Sequence, residues 1–214
     1  ATSLVFQTRV TGAGGVSSTG VMACALLQPD AVAGTQPLVE MFKYLGTGTT
    51  VASLTNHPKF PRRPDDVLPL SQFRIEPNSG ETYGSRIRAI FSPPVSGVYR
   101  LCIASDDSSE LWFSPSMKPA LATPVASVKK AVGPLEWGRE AGQKSGALAL
   151  EAGSRYYLET RHKEGTGDDH LAVGWIMPGS TEPVVIPGSV LSPYDSSAAP
   201  LFSAPAGFVS ASAT

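Results

Sequence analysis

The chain has 214 residues; 42% are hydrophobic and only 16% charged, and it carries 21 Gly and 19 Pro. Its formal net charge of −1 gives no steering toward nucleic acid or an acidic membrane surface. No apolar run approaches the ~20 residues a membrane-spanning helix needs, and the length suits one large β domain or two small ones. Low charge with many turn formers favours an all-β, extracellular type of surface. A start at Ala1 without Met reads as a mature chain whose secretion signal has been removed.

Residues 1–36 differ from the rest. Residues 4–10 read as a strand and 12–15 as a Gly-rich turn. Residues 21–27 form a second apolar run whose Gly and Gln-Pro flanks favour a strand. The two form a hairpin or join different places. Cys24 and Cys102 are the only cysteines. In an oxidising compartment they can pair; otherwise they are two buried thiols acting as small hydrophobes, and spacing leaves both open.

From residue 38 the pattern becomes a series of short strands. Residues 38–45 come first, then a loop over 56–66 in which Pro58, Pro61 and Pro64 supply no ladder donors. Residues 83–91 place Ile87, Ala89 and Phe91 on one face. Arg86 and Arg88 lie on the other, which reads as solvated. After a turn at 92–97, Tyr99, Leu101 and Ile103 alternate toward a core. Leu111 and Phe113 resume that alternation with Trp112 opposite. Strands follow at 121–129, 147–150, 155–163, 170–177 and 184–186. In the 155–163 strand Tyr156, Leu158, Thr160 and His162 share a face; in the 170–177 strand Leu171, Val173, Trp175 and Met177 do. No stretch sustains a 3.6-residue apolar period, so little helix is expected, and there is no internal repeat. Many short strands at this spacing indicate an all-β sandwich or barrel over 37–194. Strands over 1–36, packed in the same chain or exchanged with a neighbour, precede it. An Ala/Ser/Pro-rich tail over 195–214 follows.

Two acidic stretches interrupt the strands. Asp106 and Asp107 sit between the strand through Ile103 and the strand through Leu111. Asp168 and Asp169 end the loop that begins Gly165, Thr166, Gly167. On residue types alone each is a surface turn or half of a cation site, since Asp, Ser and Gly dominate turns and carboxylates hold hard cations. Ser105, His170 and Asp168 contain the residue types of a hydrolase triad, but no Gly-x-Ser-x-Gly frames any Ser. No spacing singles out a carboxylate pair for glycoside hydrolysis, so the chain is read as a non-enzyme. Trp137, in an irregular stretch, is a candidate sugar-stacking surface.

Four blocks resemble the protective-antigen/flocculin β-sandwich module: residues 54–61, 83–88, 97–113 and 156–178. The third carries Gly97, Tyr99, Ser105, Asp106 and Asp107. The fourth carries Tyr156, Tyr157, Glu159, the acidic loop, Val173 and Trp175. In sugar-binding members of that family, the adjacent Asp pair is joined by a cis peptide and ligates Ca²⁺. A later loop and the sugar hydroxyls complete the shell. The resemblance therefore implies an all-β, antiparallel, jelly-roll-like β-sandwich, with Asp106, Asp107 and Asp169 as calcium ligands. Asp168, where many relatives have Gly, either adds a ligand or narrows the sugar pocket. Gly165, Thr166, Gly167, His170 and Trp137 are the expected ligand-binding residues, and glycans or polysaccharide the expected partners. The function read here is a calcium-dependent, carbohydrate-binding, adhesin-like module, secreted or at the cell surface. The alternative is a structural subunit of an extracellular fibre or surface assembly, linked by strand addition through its terminal segments.

Overall fold

The structure is a computed structural model, and it describes residues 5–11, 17–23 and 36–195. It parts into two units, residues 1–33 and 34–214. In the first, β1 (Val5–Thr11) and β2 (Ser17–Ala23) pair antiparallel, with Val5 opposite Ala23 and Thr11 opposite Ser17. The hairpin is therefore formed within one chain. Its second strand begins four residues before the apolar run expected at 21–27. Cys24, with its proposed bond to Cys102, and the tail over 196–214 lie outside the described residues. Cys102 itself is a buried thiol, which burial pushes up to about 11.

The second unit is built from two antiparallel sheets. The larger contains β3 (Leu38–Phe42), β4 (Asp66–Pro69), β6 (Gly84–Phe91), β8 (Ser108–Ser114), β9 (Thr123–Val128), β11 (Tyr156–Lys163) and β14 (Leu191–Pro193). Their order is β4-β3-β6-β11-β8-β9, and β14 continues the edge of β6 beyond β3. The smaller contains β5 (Arg74–Ile75), β7 (Gly97–Asp106), β10 (Leu148–Leu150), β12 (His170–Ile176) and β13 (Val184–Val185). It is ordered β10-β7-β12-β13, with β5 also on β12. The β-sandwich expected from the sequence is thus present. A single five-residue helix, α1 (Val51–Thr55), and three short 3₁₀ turns are the helical content among the described residues. None is long and apolar enough to cross a membrane.

The period-2 pattern explains the core. Tyr99, Leu101 and Ile103 of β7 and Leu171, Val173 and Trp175 of β12 point inward. They meet Ile87, Ala89 and Phe91 of β6, Leu111 and Phe113 of β8, and Leu158 of β11. Phe91, Tyr99 and Trp175 form an aromatic cluster, with Phe91 and Trp175 ring centroids 5.6 Å apart. Each such side chain contributes about 1.5–3 kcal/mol by burial.

One strand face differs from its sequence reading. Arg86 and Arg88 are not freely solvated. Glu40 of β3 lies between them, paired with the Arg86 guanidinium and 2.7 Å from Arg88. Arg86 also donates to the Pro61 carbonyl at 2.9 Å and covers the Phe60 ring, leaving it 8% exposed. The reason is cross-strand register: Glu40 is the ladder partner of Arg86, and Leu38 that of Arg88.

Candidate functional site

The topology brings the two acidic stretches together. β7 belongs to the smaller sheet and β8 to the larger, so the Asp106–Asp107 corner crosses between sheets. The connection from β11 to β12 makes the same crossing in reverse. Since β7 pairs with β12 and β8 with β11, both crossings fall at one end of the sandwich. The ladder places His170 opposite Asp106 and Lys163 opposite Ser108.

The Asp106–Asp107 peptide is cis. Three carboxylates converge there: Asp106, Asp107 and Glu164 each offer an oxygen, all within 4.8 Å of one another. Glu164 was absent from the residues singled out in the sequence, yet a signal for it exists. It continues the inward parity of Tyr156, Leu158, Thr160 and His162 one step past β11. It is fully buried. Its Oε2 accepts the Asp107 N–H at 3.0 Å, while Oε1 has no hydrogen-bond partner among the described residues.

Burial raises the Asp106 carboxyl to about 6, with Asp107, Asp168 and Asp169 adding like-charge repulsion. Glu164 is raised to about 7, again mostly by burial and then by Asp107 and Asp106. A buried carboxylate oxygen without a donor, beside two further carboxylates, is a costly arrangement unless a cation joins it. The donor set is oxygen only, the type taken by hard divalent ions.

The surrounding shell fixes this geometry. His162 is fully buried, and burial lowers it to about 4, so its neutral ring donates from Nε2 to the Asp106 carbonyl at 2.8 Å. Ser105 Oγ donates to the Asp107 carbonyl at 2.6 Å and lies 2.7 Å from Ser109 Oγ. That hydroxyl is thus committed locally and does not meet His170. The Gly165 N–H donates to Asp107 Oδ2 at 3.0 Å. A Cβ on Gly165 would sit 3.0 Å from the Thr47 carbonyl, so only glycine allows this approach. Lys163 is also fully buried; its ammonium donates to the Gly46 carbonyl at 2.9 Å and to the Glu164 carbonyl. It brings one positive charge beside the three carboxylates.

The other expected ligands have different places. Asp169 is buried and already engaged: it accepts from Ser79 N–H at 2.8 and 3.1 Å and from the Tyr83 hydroxyl at 2.6 Å. It pins the 76–83 loop to the acidic loop, aided by Asn78 N–H to Asp169 O and Thr82 N–H to Gly165 O. Asp168 is exposed and stands outside the carboxylate trio. Thr166 and Gly167 are exposed, and the Gly167 N–H donates to Glu81 at 3.1 Å. Trp137 is half-buried against the core, with its ring against Gly174.

Beside the trio opens a cavity of about 460 Å³. Asp106 lines it and so belongs to both features. The other walls come from Pro77, Asn78, residues 131–134, Arg139, Asp168, Asp169 and His170. Trp137 is not among its lining residues, because its ring is spent on the outer face of β12.

The PA14 domain profile matches residues 51–189, well over half of the chain and the whole of this site. The chain belongs to the PA14 domain family. Its curated relatives include N-acetyl-beta-glucosaminyl-glycoprotein 4-beta-N-acetylgalactosaminyltransferase 1 of Mus musculus, 34% identical over 139 residues. That match covers 62% of this chain and 13% of the relative. Fibrocystin of Canis lupus familiaris is 31% identical over 104 residues, covering 44% of this chain and 2% of fibrocystin. The chain thus spans only a small part of the length of each. Among solved structures, the A domain of epithelial adhesin 6 from Candida glabrata, in complex with Galβ1-3GlcNAc, superposes with a TM-score of 0.53. Identity is 13%, covering 78% of this chain and 91% of that one. The PA14 sugar-binding domain of an RTX adhesin gives a TM-score of 0.56 at 12% identity, covering 74% and 99%. At these identities the likeness is one of fold.

Proposed function

We propose that this PA14 domain is an extracellular or cell-surface carbohydrate-binding module of the adhesin type, calcium-dependent and without a catalytic role of its own. The observation that carries the reading is the trio of Asp106, Asp107 and Glu164, with its unpartnered buried oxygen, beside an open cavity that Asp106 lines. These three residues would hold Ca²⁺, which when bound supplies open coordination positions for sugar hydroxyls. The domain's own residues orient the site: His162 and Ser105 hold the Asp corner, Gly165 closes on Asp107, and Asp169 fastens the neighbouring loop. The sugar-bound adhesin domains among the structural relatives support the choice of glycan as partner.

Titration calorimetry with Ca²⁺, followed by a glycan panel with and without chelator, tests the reading. Calcium binding at submillimolar to millimolar affinity and glycan binding that chelator abolishes are expected. Absence of calcium binding up to several millimolar overturns it.

A further inference from the structure

A fully buried lysine is costly unless its charge is answered inside the fold. Lys163 is such a residue. Both acceptors of its ammonium are backbone carbonyls, Gly46 O at 2.9 Å and Glu164 O. Two carbonyls are satisfied equally well by an amide or a hydroxyl, so hydrogen bonding alone does not call for a charge here. The carboxylates that favour the charged form against burial are Glu164 and Asp107, two members of the ion trio.

The ammonium has a fixed place. The turn that carries Gly46 is pinned beside it: the Leu45 N–H donates to the Thr82 carbonyl, and the Thr82 N–H to the Gly165 carbonyl, each at 2.7 Å. Leu45 and Gly46 precede residues 51–189, the stretch that the PA14 profile matches. A part of this chain outside that profile therefore holds the lysine against the trio, where a surface lysine would swing in solvent.

The charges then decide which ion suits the site. Three ionised carboxylates and one ammonium leave two negative charges. A divalent ion neutralises them. A trivalent ion on the same oxygens leaves one positive charge uncompensated in a buried setting. Without the ammonium, the trivalent ion would be the neutral match.

We propose that Lys163 is a built-in second cation of the ion site, which matches the trio to a divalent ion and sets its selectivity against trivalent ones. It does not touch the ion and acts through Coulomb repulsion. This rests on the ion-binding half of the reading above.

Calorimetry of the whole chain with Ca²⁺, and competition by Tb³⁺, tests the proposal in wild type and Lys163→Met. Loss of the Gly46 latch changes both affinities together, and both ions displace the same protons, so their ratio isolates the charge. Removing one positive charge helps Tb³⁺ by one unit charge more than Ca²⁺. The Tb³⁺-to-Ca²⁺ affinity ratio should therefore rise about tenfold or more in Lys163→Met. In chelator, Lys163→Met should melt below wild type, because it leaves the trio uncompensated. Adding Glu164→Gln should raise that variant's melting temperature by more than the same change raises wild type. Where Lys163→Met does not fold alone, the double variant should. An unchanged ion ratio, loss of both ions together, equal Glu164→Gln shifts in the two backgrounds, or a double variant as unfolded as Lys163→Met alone overturns the proposal and leaves the calcium-dependent module standing. No calcium binding by wild type up to several millimolar overturns both.

Discussion

Glu164 decides most of the site's chemistry at the scale of single residues. It is buried, one oxygen lacks a donor, and its carboxyl is raised to about 7 from the ordinary 4.5. The folded chain therefore holds a proton there, between about pH 4.5 and 7, that the unfolded chain has lost. Stability from this group is full below about pH 4.5 and falls as pH rises through 7. His162 acts in the opposite sense: its depressed value of about 4 makes stability rise with pH between about 4 and 6.5. The clean measurement is thus a difference. In chelator, Glu164→Gln should melt at or above wild type, and the gap should widen as pH rises from 4.5 to 7. Calcium should close the gap by stabilising wild type alone. In calorimetry the same substitution should weaken Ca²⁺ binding roughly tenfold or more, because it removes one of three charged ligands. Wild-type calcium affinity should itself rise with pH through 6 to 7, as the ion displaces protons from Asp106 and Glu164.

At the scale of elements, two connections do the assembling. The β7–β8 corner and the β11–β12 loop both pass between sheets, and Gly165 lets the second close on the first. Gly165→Ala puts a methyl 3.0 Å from the Thr47 carbonyl and 3.2 Å from Asp107 Oδ2. It should cost about 1–3 kcal/mol in urea unfolding and weaken calcium binding, since backbone must move. On the outer face of the larger sheet, Glu40 joins β3 to β6 through two arginines. Glu40→Ala leaves both guanidinium groups without a carboxylate. A loss of about 1–3 kcal/mol is expected in the same measurement, between the values for exposed and buried pairs. An unchanged midpoint would show the ladder to be fully screened by solvent.

The sandwich as a whole is held by its core and adjusted by its ion site. Trp175 lies among Phe91 and Tyr99 and is 4% exposed. Trp175→Ala should cost about 3–5 kcal/mol with or without calcium, because its contribution is packing. Calcium should instead act only through mass action. A few millimolar at a dissociation constant of about 0.1–1 mM adds about 1–2 kcal/mol, or roughly 2–8 °C in melting temperature. An equal calcium shift in Glu164→Gln would place the ion elsewhere.

The sequence by itself determined the strands, their inward faces and the presence of two acidic turns. Side-chain alternation is a local property, so Tyr99, Leu101 and Ile103 or Leu171, Val173 and Trp175 declare their face without reference to the rest of the chain. Turn chemistry at Asp106–Asp107 and Gly165–Asp169 is local for the same reason. The family motifs carried the pairing of those two turns. Only the tertiary structure decided which carboxylates converge. Glu164 reads in sequence as one more charge at a strand end, and Asp169 as the better ligand. Pairing β7 with β12 and β8 with β11 turns Glu164 inward beside Asp107, while Ser79 and Tyr83, distant in sequence, occupy Asp169. Arg86 differs from its sequence reading on the same ground. Whether an outward face is solvated depends on what the chain lays over it, and no residue's own neighbours in sequence record that.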